Sequence, residues 1–271
     1  MTDILVKNFY TENLRSEWHR LVKDAYHRLE FNTTLHFLDK YLPAHGSLLD
    51  AGGGPGRYTL ELAKKGYDVS LLDATQANLE FAKRMLRRHG VQTRVKQIIQ
   101  GSIVDLSQFP EDTFDGVLCS GGPLSHILDE RDRMQAISEL RRVARPGAPI
   151  FVSVMSRLSV LIVILIESQR EIGLPHFEQV LETGDYLGGH GFTACHFFLP
   201  EEFRQAFTRL DLEILEMVGV EGISSHHNRQ LNQLAKDDKR YQIWLETHLQ
   251  TCTHPTVVGM SEHMLMVCQK S

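Results

Sequence analysis

Leu48-Leu49-Asp50-Ala51-Gly52-Gly53-Gly54-Pro55-Gly56-Arg57 is the segment of this 271-residue chain with the clearest structural pattern. Two apolar residues lead into an acid, a run of glycines follows, and a helical pattern comes after the glycines. Glycine lacks a Cβ and therefore fits where a backbone turns sharply or approaches a ligand closely. Such a loop between a strand and the N-terminus of a helix is typical of a nucleotide-binding turn.

The spacing of the glycines indicates the kind of nucleotide. A dinucleotide-binding turn has the form G-x-G-x-x-G, but here Arg57 stands where its third glycine would fall. The pattern Asp-x-Gly-x-Gly-x-Gly resembles motif I of the class I S-adenosylmethionine-dependent methyltransferases. The resemblance implies that the loop passes beneath the amino-acid part of S-adenosylmethionine, and it disfavours an oxidoreductase that uses NAD.

Strand-like and helix-like segments alternate from Ser47 onwards. This alternation implies right-handed crossovers and a parallel sheet that is covered on both faces. Together with the resemblance, it predicts an α/β fold: a seven-stranded, mostly parallel, Rossmann-like sheet with helices on both faces. We expect strands at residues 47–51, 68–73, 95–99, 114–119, 150–155, 212–220 and 263–268.

The chain divides into two predicted regions. Residues 1–46 carry apolar side chains at helical spacing and should form a helical N-terminal segment. Residues 47–271 should form the methyltransferase domain, with lid insertions at about 157–198 and 221–262. Both insertions would lie above the cofactor loops.

Composition limits the partners and the compartment. A net charge of −5 argues against a protein that holds nucleic acid by bulk electrostatics. Residues 1–7 lack the apolar core of a signal peptide, and the four cysteines form no C-x-x-C pair. These features favour a reducing, cytoplasmic setting.

The run of apolar residues at 158–166 requires a membrane check. It is about half as long as a spanning helix, which needs about 20 apolar residues, and Arg157 and Glu167 flank it. We therefore expect no membrane partner and a buried segment here. A dimer interface or the apolar wall of a substrate pocket are the alternatives, and the chain could be a monomer or a homodimer.

Two acids end the first two predicted strands. Ligands of parallel α/β sheets bind beyond the carboxyl ends of the strands. Asp73 stands where a carboxylate could accept hydrogen bonds from both ribose hydroxyls, although it could also only cap the next helix. Asp50 could orient the glycine loop and hydrogen-bond toward the ammonium group of the cofactor, or it could be purely structural.

Two later loops extend the resemblance. The segment Gln100–Leu106 is similar to the family segment that holds adenine, with Ser102 where many relatives have an acid. The hydroxyl of Ser102 or the backbone N–H of Ile103 would then bind adenine. The segment Leu118–His126 follows the fourth strand, where the resemblance places the meeting of methyl group and acceptor. The absence of an Asn-Pro-Pro-Tyr motif argues against methylation of an exocyclic base amine or a glutamine amide.

An arginine of the N-terminal segment completes the predicted cofactor site. In many relatives this segment folds over the cofactor, so Arg28 could pair with the methionine carboxylate, unless it is a surface residue. Arg57 is a second candidate. The predicted cofactor-binding residues are Asp50, Gly52, Gly53, Gly54, Gly56, Asp73, Ala74, Ser102, Ile103, Cys119, Ser120 and Arg28.

The implied reaction is an in-line displacement at a cationic methyl group. Positioning and exclusion of water contribute much of the catalysis, and a base is required only if the acceptor must lose a proton. Histidine suits that role at neutral pH, and His126 is best placed by topology. His190 and His196 lie in the predicted lid, and each of these histidines could be structural. No motif with metal-ligand spacing is present, so we expect no bound metal.

The sequence therefore predicts methyl transfer from S-adenosylmethionine to an unidentified small molecule, at oxygen, nitrogen or sulfur. Residues 245–263 are loosely similar to the tail of bacterial enzymes that methylate a carboxylate on the wobble uridine of transfer RNA. A tRNA-modifying methyltransferase is therefore an alternative. A non-catalytic S-adenosylmethionine-binding protein is the alternative outside the enzymes.

Overall fold

The computed structural model describes residues 2–189 and 191–271. Seven of its strands form one sheet and two short strands form a hairpin. The strands are β1 (Ser47–Ala51), β2 (Asp68–Asp73), β3 (Val95–Gln100), β4 (Gly116–Cys119), β5 (Pro149–Met155), β6 (Asp185–Tyr186), β7 (Cys195–His196), β8 (Leu212–Gly219) and β9 (His263–Lys270).

Helices precede the sheet and cover both of its faces. The helices are α1 (Thr2–Glu12), α2 (Leu14–Arg20), α3 (Ala25–Tyr41), α4 (Arg57–Lys64), α5 (Gln76–Arg88), α6 (Glu130–Val143), α7 (Arg157–Glu167), α8 (Pro175–Thr183), α9 (Pro200–Thr208), α10 (Asn228–Leu234), α11 (Asp238–Thr251) and α12 (Pro255–Val258).

The large sheet has the order β3-β2-β1-β4-β5-β9-β8. Strands β1 to β5 are parallel, and β9 runs antiparallel to both of its neighbours. The predicted fold, a mostly parallel seven-stranded sheet between helices, is confirmed. The strand order reverses between β1 and β4, so the carboxyl ends of these strands form the crevice where such sheets bind ligands.

Strand boundaries agree with the sequence pattern to within one residue except at β9, which ends two residues later at Lys270, and at β4. The expected strand began at Phe114, whereas the structure has only a single bridge there, to Ala144, before β4 begins at Gly116. The helix caps follow the expected chemistry in α6, where the Asp129 carboxylate accepts from the N–H groups of Arg131 and Asp132. Thr75 precedes α5 but makes no side-chain cap.

The N-terminal segment is helical, as predicted, and has two functions in the fold. The inner face of α3 packs Phe37 and Leu38 into the core beside Phe151 of β5. Helices α1 and α2 cross the carboxyl end of the sheet instead, where they form one wall of the cavity described below. The N-terminal helices thus close the crevice from above.

The apolar run at 158–166 forms most of α7, and the expectation of a buried segment is wrong for its outer face. Ile164 is buried, whereas Leu165 and Ile166 are 55% and 58% exposed. The helix packs through Val160 and Leu161 against the apolar cluster around the β6–β7 hairpin. None of the helices in the described ranges has the length and apolarity that a bilayer span requires.

Candidate active site

The glycine loop between β1 and α4 has the geometry for which its glycines are required. Gly52, Gly54 and Gly56 have φ values of 76°, 56° and 82°, which side chains rarely adopt. At Gly53 the reason is space, because a Cβ there would lie 2.5 Å from Cγ of Asp50. The backbone of the loop therefore rests directly on the Asp50 carboxylate.

Asp50 supports this loop from below. Its Oδ2 accepts from the backbone N–H and the hydroxyl of Thr59, at 3.0 and 2.6 Å, and so connects β1 to α4. Burial raises the pKa of Asp50 to about 6, and the nearby Asp73 adds to this shift. Asp50 lies outside the cavity that Gly53 lines. The two hydrogen bonds with Thr59 support a structural role for Asp50, and a contact to the cofactor ammonium, directly or through water, stays a prediction.

A cavity of about 240 Å³ lies at the carboxyl ends of β1, β2, β3 and β4. Its walls come from the loops that follow these strands and from the N-terminal helices α1 and α2. The predicted site residues that line it are Gly52, Gly53, Gly54, Asp73, Ala74, Ser102, Ile103, Ser120 and His126.

Three further predicted binding residues do not line this cavity. Gly56 is the left-handed N-cap of α4 and packs against Ala82. The Cys119 side chain is fully buried in the core. Arg28 is exposed, and its Nε donates to the Val22 carbonyl at 3.3 Å. Arg28 therefore does not line the cavity, and a contact between Arg28 and the methionine carboxylate stays a prediction.

Arg20 is the arginine that this segment brings to the cavity. It stands at the end of α2 beside Glu17 and Tyr10, which line the cavity as well. Arg57, the second candidate, also lines it, with its guanidinium 3.7 Å from the ring centroid of Trp18. Sequence reasoning missed Arg20 because no local pattern shows which face of a short helix will meet loops far along the chain.

Asp73 is buried and accepts three hydrogen bonds. Its Oδ2 accepts from the Gly54 N–H at 2.9 Å, and its Oδ1 accepts from the Thr75 N–H and the Asn78 side chain at 2.8 and 3.1 Å. Burial raises the pKa of Asp73 although these hydrogen bonds oppose the shift. Each carboxylate oxygen has two acceptor sites, so Oδ2 retains capacity for a ligand hydroxyl.

Two buried polar atoms of the cavity wall have no hydrogen-bond partner among the described residues. They are Oδ1 of Asn78 and Oγ of Ser120. Leaving such atoms unpaired costs about 1–3 kcal/mol each, so the wall is suited to a polar ligand. With Asp73 on one side and Arg20 on the other, the residues fit a cofactor that carries a ribose and an amino-acid group.

His126 lines the cavity, but its ring is already engaged. Nδ1 donates to the Ala194 carbonyl at 3.0 Å, and Nε2 lies 2.7 Å from the Tyr10 hydroxyl. Burial lowers the pKa of His126, so the ring is neutral and Nε2 accepts the Tyr10 proton. Tyr10 thus covers Nε2 of His126, a contact that the sequence did not indicate.

His196, one of the two histidines of the predicted lid, does not line the cavity. His196 lies buried between Asp185 and Glu202, with both nitrogens 2.6 Å from a carboxylate oxygen. Glu202 also pairs with Arg157 at 3.1 Å, so this cluster fastens the hairpin to α7 and α9. His190 lies outside the described residues.

A second cavity, of about 280 Å³, adjoins the first. The two share a wall formed by Tyr10, Glu17, Arg20 and Gly121. The remaining wall comes from α3, from the lid and from the start of β9. These remaining residues are Tyr26, His27, Glu30, Met155, Phe192, Glu221, Glu262 and His263.

Ion pairs order the acidic side chains of the second cavity. Arg20 donates to both oxygens of Glu30 and, through Nε, to Glu17 at 3.2 Å. His263 Nδ1 lies 2.7 Å from Glu221. Burial alone would lower the pKa of His263, but Glu221 and Glu30 outweigh it and raise that pKa to about 9. His263 is therefore a cation at neutral pH.

Glu30, Glu221 and His263 also form a group of possible metal ligands, with one ligand atom of each within 4.8 Å of the others. The sequence predicted no metal because these residues are far apart along the chain. In the structure, Arg20 occupies both oxygens of Glu30 and the proton on His263 Nδ1 faces Glu221. The contacts are thus those of an ion-pair network.

The comparisons with known proteins agree with this geometry. Residues 48–147 match the model of a methyltransferase domain. A glycine/sarcosine N-methyltransferase from Parasynechococcus marenigrum is 30% identical over 141 residues, which cover 50% of this chain and 47% of that protein. A ubiquinone biosynthesis O-methyltransferase from Hahella chejuensis is 28% identical over 69% of this chain and 71% of its own length.

Solved structures show the same fold. A SAM-dependent methyltransferase from Methanosarcina mazei has a TM-score of 0.62 at 21% identity, covering 86% of this chain and 96% of its own. The chain spans about half the length of the first curated relatives that it matches. Residues 48–147 are thus a methyltransferase domain, and the chain has the fold of the SAM-dependent methyltransferases.

Proposed function

We propose that this protein transfers a methyl group from S-adenosylmethionine to a small-molecule acceptor. The observation that carries the proposal is the pair of adjoining cavities. One is built by the loops of the methyltransferase domain together with α1 and α2, and the other by the N-terminal helices, the lid and β9. Gly121 and Tyr10 lie in both walls, so the methyl group would meet its acceptor there.

Three groups of residues would hold the cofactor. Asp73 would accept from the ribose, Ser102 or Ile103 would contact adenine, and the glycine loop with Ser120 would contact the amino-acid part. When bound, the cofactor supplies an electrophilic methyl group on a cationic sulfur. The absence of side chains at Gly121 leaves the backbone close to that position.

The chain itself would exclude water and accept a proton. Phe9 of α1 contacts Phe192 of the lid, with ring centroids 5.3 Å apart, and so joins the lid to the N-terminal helices. Tyr10 would take a proton from the acceptor as it passes its own to Nε2 of neutral His126. General base catalysis of this kind contributes about 10²–10⁴-fold.

The two alternative functions, a tRNA-modifying methyltransferase and a protein that only binds S-adenosylmethionine, receive less support. The second cavity has four glutamates on its wall, which disfavours a polyanion such as transfer RNA. The second cavity itself argues against a protein that only binds the cofactor. A cytoplasmic setting stays part of the proposal, and the four free, buried cysteines support it.

Calorimetric titration with S-adenosylmethionine, S-adenosylhomocysteine and NAD in parallel tests the cofactor. We expect micromolar binding of the first two and none of NAD. An acceptor screen with labelled methyl groups, with and without ribonuclease, then tests the transfer. Binding of NAD alone, or methyl incorporation that ribonuclease abolishes, would contradict the proposal.

A further inference from the structure

The second cavity has an excess of negative charge. Its wall carries Glu17, Glu30, Glu221 and Glu262, against the cations Arg20 and His263. His27, which also lines the cavity, pairs with Asp24 at 2.7 Å. Charges interact more strongly in a partly buried cavity than in water, so an anionic ligand would be repelled and a cation attracted.

Besides Glu17, whose only hydrogen bond among the described residues comes from Arg20 to Oε2, Glu262 is the carboxylate with free acceptor capacity. The Tyr26 hydroxyl and the His226 N–H donate to its Oε1, and His226 Nδ1 lies 3.5 Å from that same oxygen. Within the described residues, no hydrogen bond reaches Oε2. By contrast, Arg20 occupies Glu30, while Ser261 and His263 occupy Glu221.

Aromatic rings complete the cavity. Tyr10, Tyr26 and Phe192 line it together with Met155. Aromatic faces attract cations, and the attraction grows when the cation is desolvated. Carboxylates beside aromatic rings are the surroundings that favour an organic ammonium ion over a neutral hydroxyl compound.

We propose that the second cavity is the acceptor site and that the acceptor is a small primary or secondary amine, bound as its ammonium ion. This inference rests on the proposed function. The ammonium transfers one proton to the Tyr10 hydroxyl, which passes its own proton to Nε2 of His126. The nitrogen lone pair then forms a bond to the methyl carbon, while the bond from that carbon to sulfur breaks and its electron pair stays on sulfur.

Matched sets of probes test the charge preference. Each set has one carbon skeleton (ethyl, cyclohexyl or benzyl) bearing an amine, a hydroxyl or a carboxylate group. We titrate each probe into protein saturated with S-adenosylhomocysteine. In at least one set we expect the amine to bind about tenfold or more tightly than the alcohol, because the alcohol lacks one charge-assisted contact. With S-adenosylmethionine carrying a labelled methyl group, we expect the label on the nitrogen of that amine.

Variants connect the preference to the cavity. Glu262→Gln keeps the shape of the side chain and should weaken amine binding about tenfold, with S-adenosylhomocysteine binding unchanged. Glu213→Gln, on the exposed side of β8, is the matched control and should change neither. Glu17→Gln, on the shared wall, should weaken amine binding as well, and it serves if Glu262→Gln lowers the thermal stability.

Several results would overturn the inference and leave the proposed function intact. They are tighter binding of the alcohol or carboxylate in every set, binding of no probe, or amine binding that neither variant weakens. Amine binding that chelators abolish and Mn²⁺ restores would indicate a metal on Glu30, Glu221 and His263 instead. Failure to bind S-adenosylhomocysteine would contradict the proposed function itself.

Discussion

The phenolic oxygen of Tyr10 lies 2.7 Å from Nε2 of His126, a residue 116 positions later in the chain. His126 in turn donates through Nδ1 to the carbonyl of Ala194 in the lid. One hydrogen-bonded chain thus joins α1, the loop after β4 and the lid above the shared wall of the two cavities. It fixes the tautomer of His126 and places the hydroxyl group of Tyr10, not the imidazole, on the wall that the two cavities share.

Tyr10→Phe tests this relay. The substitution removes the hydroxyl and keeps the ring that lines both cavities, so we expect kcat to fall about 100-fold. The dissociation constant of S-adenosylhomocysteine should stay within about threefold, because no cofactor contact is removed. Labelled-methyl turnover and calorimetry measure the two quantities. Equal losses in both would show that Tyr10 shapes the cofactor cavity and moves no proton.

Asp73→Asn tests the ribose contact. Because Asp73 also accepts from the Gly54 N–H, a weaker affinity alone would not separate a ribose contact from support of the loop. We therefore compare S-adenosylhomocysteine with its 2′-deoxy analogue in both proteins. If the carboxylate binds the ribose, the wild-type protein loses about tenfold in affinity for the analogue, and the variant loses much less. Equal losses would make Asp73 a structural residue.

The glycine loop and Asp73 were predictable from the sequence because their geometry is local. A glycine loop between a strand and a helix, and an acid at the end of the next strand, are set by residues close together in the chain. Arg20 was not predictable in this way. The break between α2 and α3 sets the faces of the two helices separately, so that Arg20 faces the cavity while Arg28 lies on the exposed side of α3.

The second cavity was not predictable for a similar reason. Glu30, Glu221 and His263 come from α3, from the segment after β8 and from the start of β9. Only the antiparallel pairing of β9 with β8 brings the last two together. In sequence, a single glutamate in an amphipathic helix looks like any solvated charge, and nothing marks it as one that will be buried.

The pair of His263 and Glu221 predicts how stability depends on pH. A pKa of about 9 in the folded protein, against 6.5 for a free histidine, means that the folded state binds the proton more tightly. The contribution of this ion pair to the free energy of unfolding is therefore complete below pH 6.5 and is lost as the pH rises through about 9. We expect the free energy of unfolding to fall by on the order of 2 kcal/mol across this window.

Denaturant unfolding at several pH values measures this effect. His263→Gln should remove most of the decrease between pH 6.5 and 9, because the variant has no proton to release. His45→Gln is the matched control, since His45 is exposed and has no ion pair among the described contacts. If the free energy of unfolding of the His263 variant fell by the same amount, the pH dependence would belong to other groups.

Gly53→Ala tests the contact between the loop and Asp50. A Cβ at residue 53 would lie 2.5 Å from the Asp50 carboxylate, so either the loop or the acid must shift. We expect a loss of about 1–3 kcal/mol in unfolding free energy and a weaker affinity for S-adenosylhomocysteine.

A double variant isolates the contact between the loop and Asp50. Asp50→Ala alone also destabilises the protein, because Thr59 loses its acceptor. The double variant should nevertheless be less destabilised than the sum of the two single variants, because removing the carboxylate makes room for the new methyl group. Strict additivity would mean that the loop does not rest on Asp50 in solution.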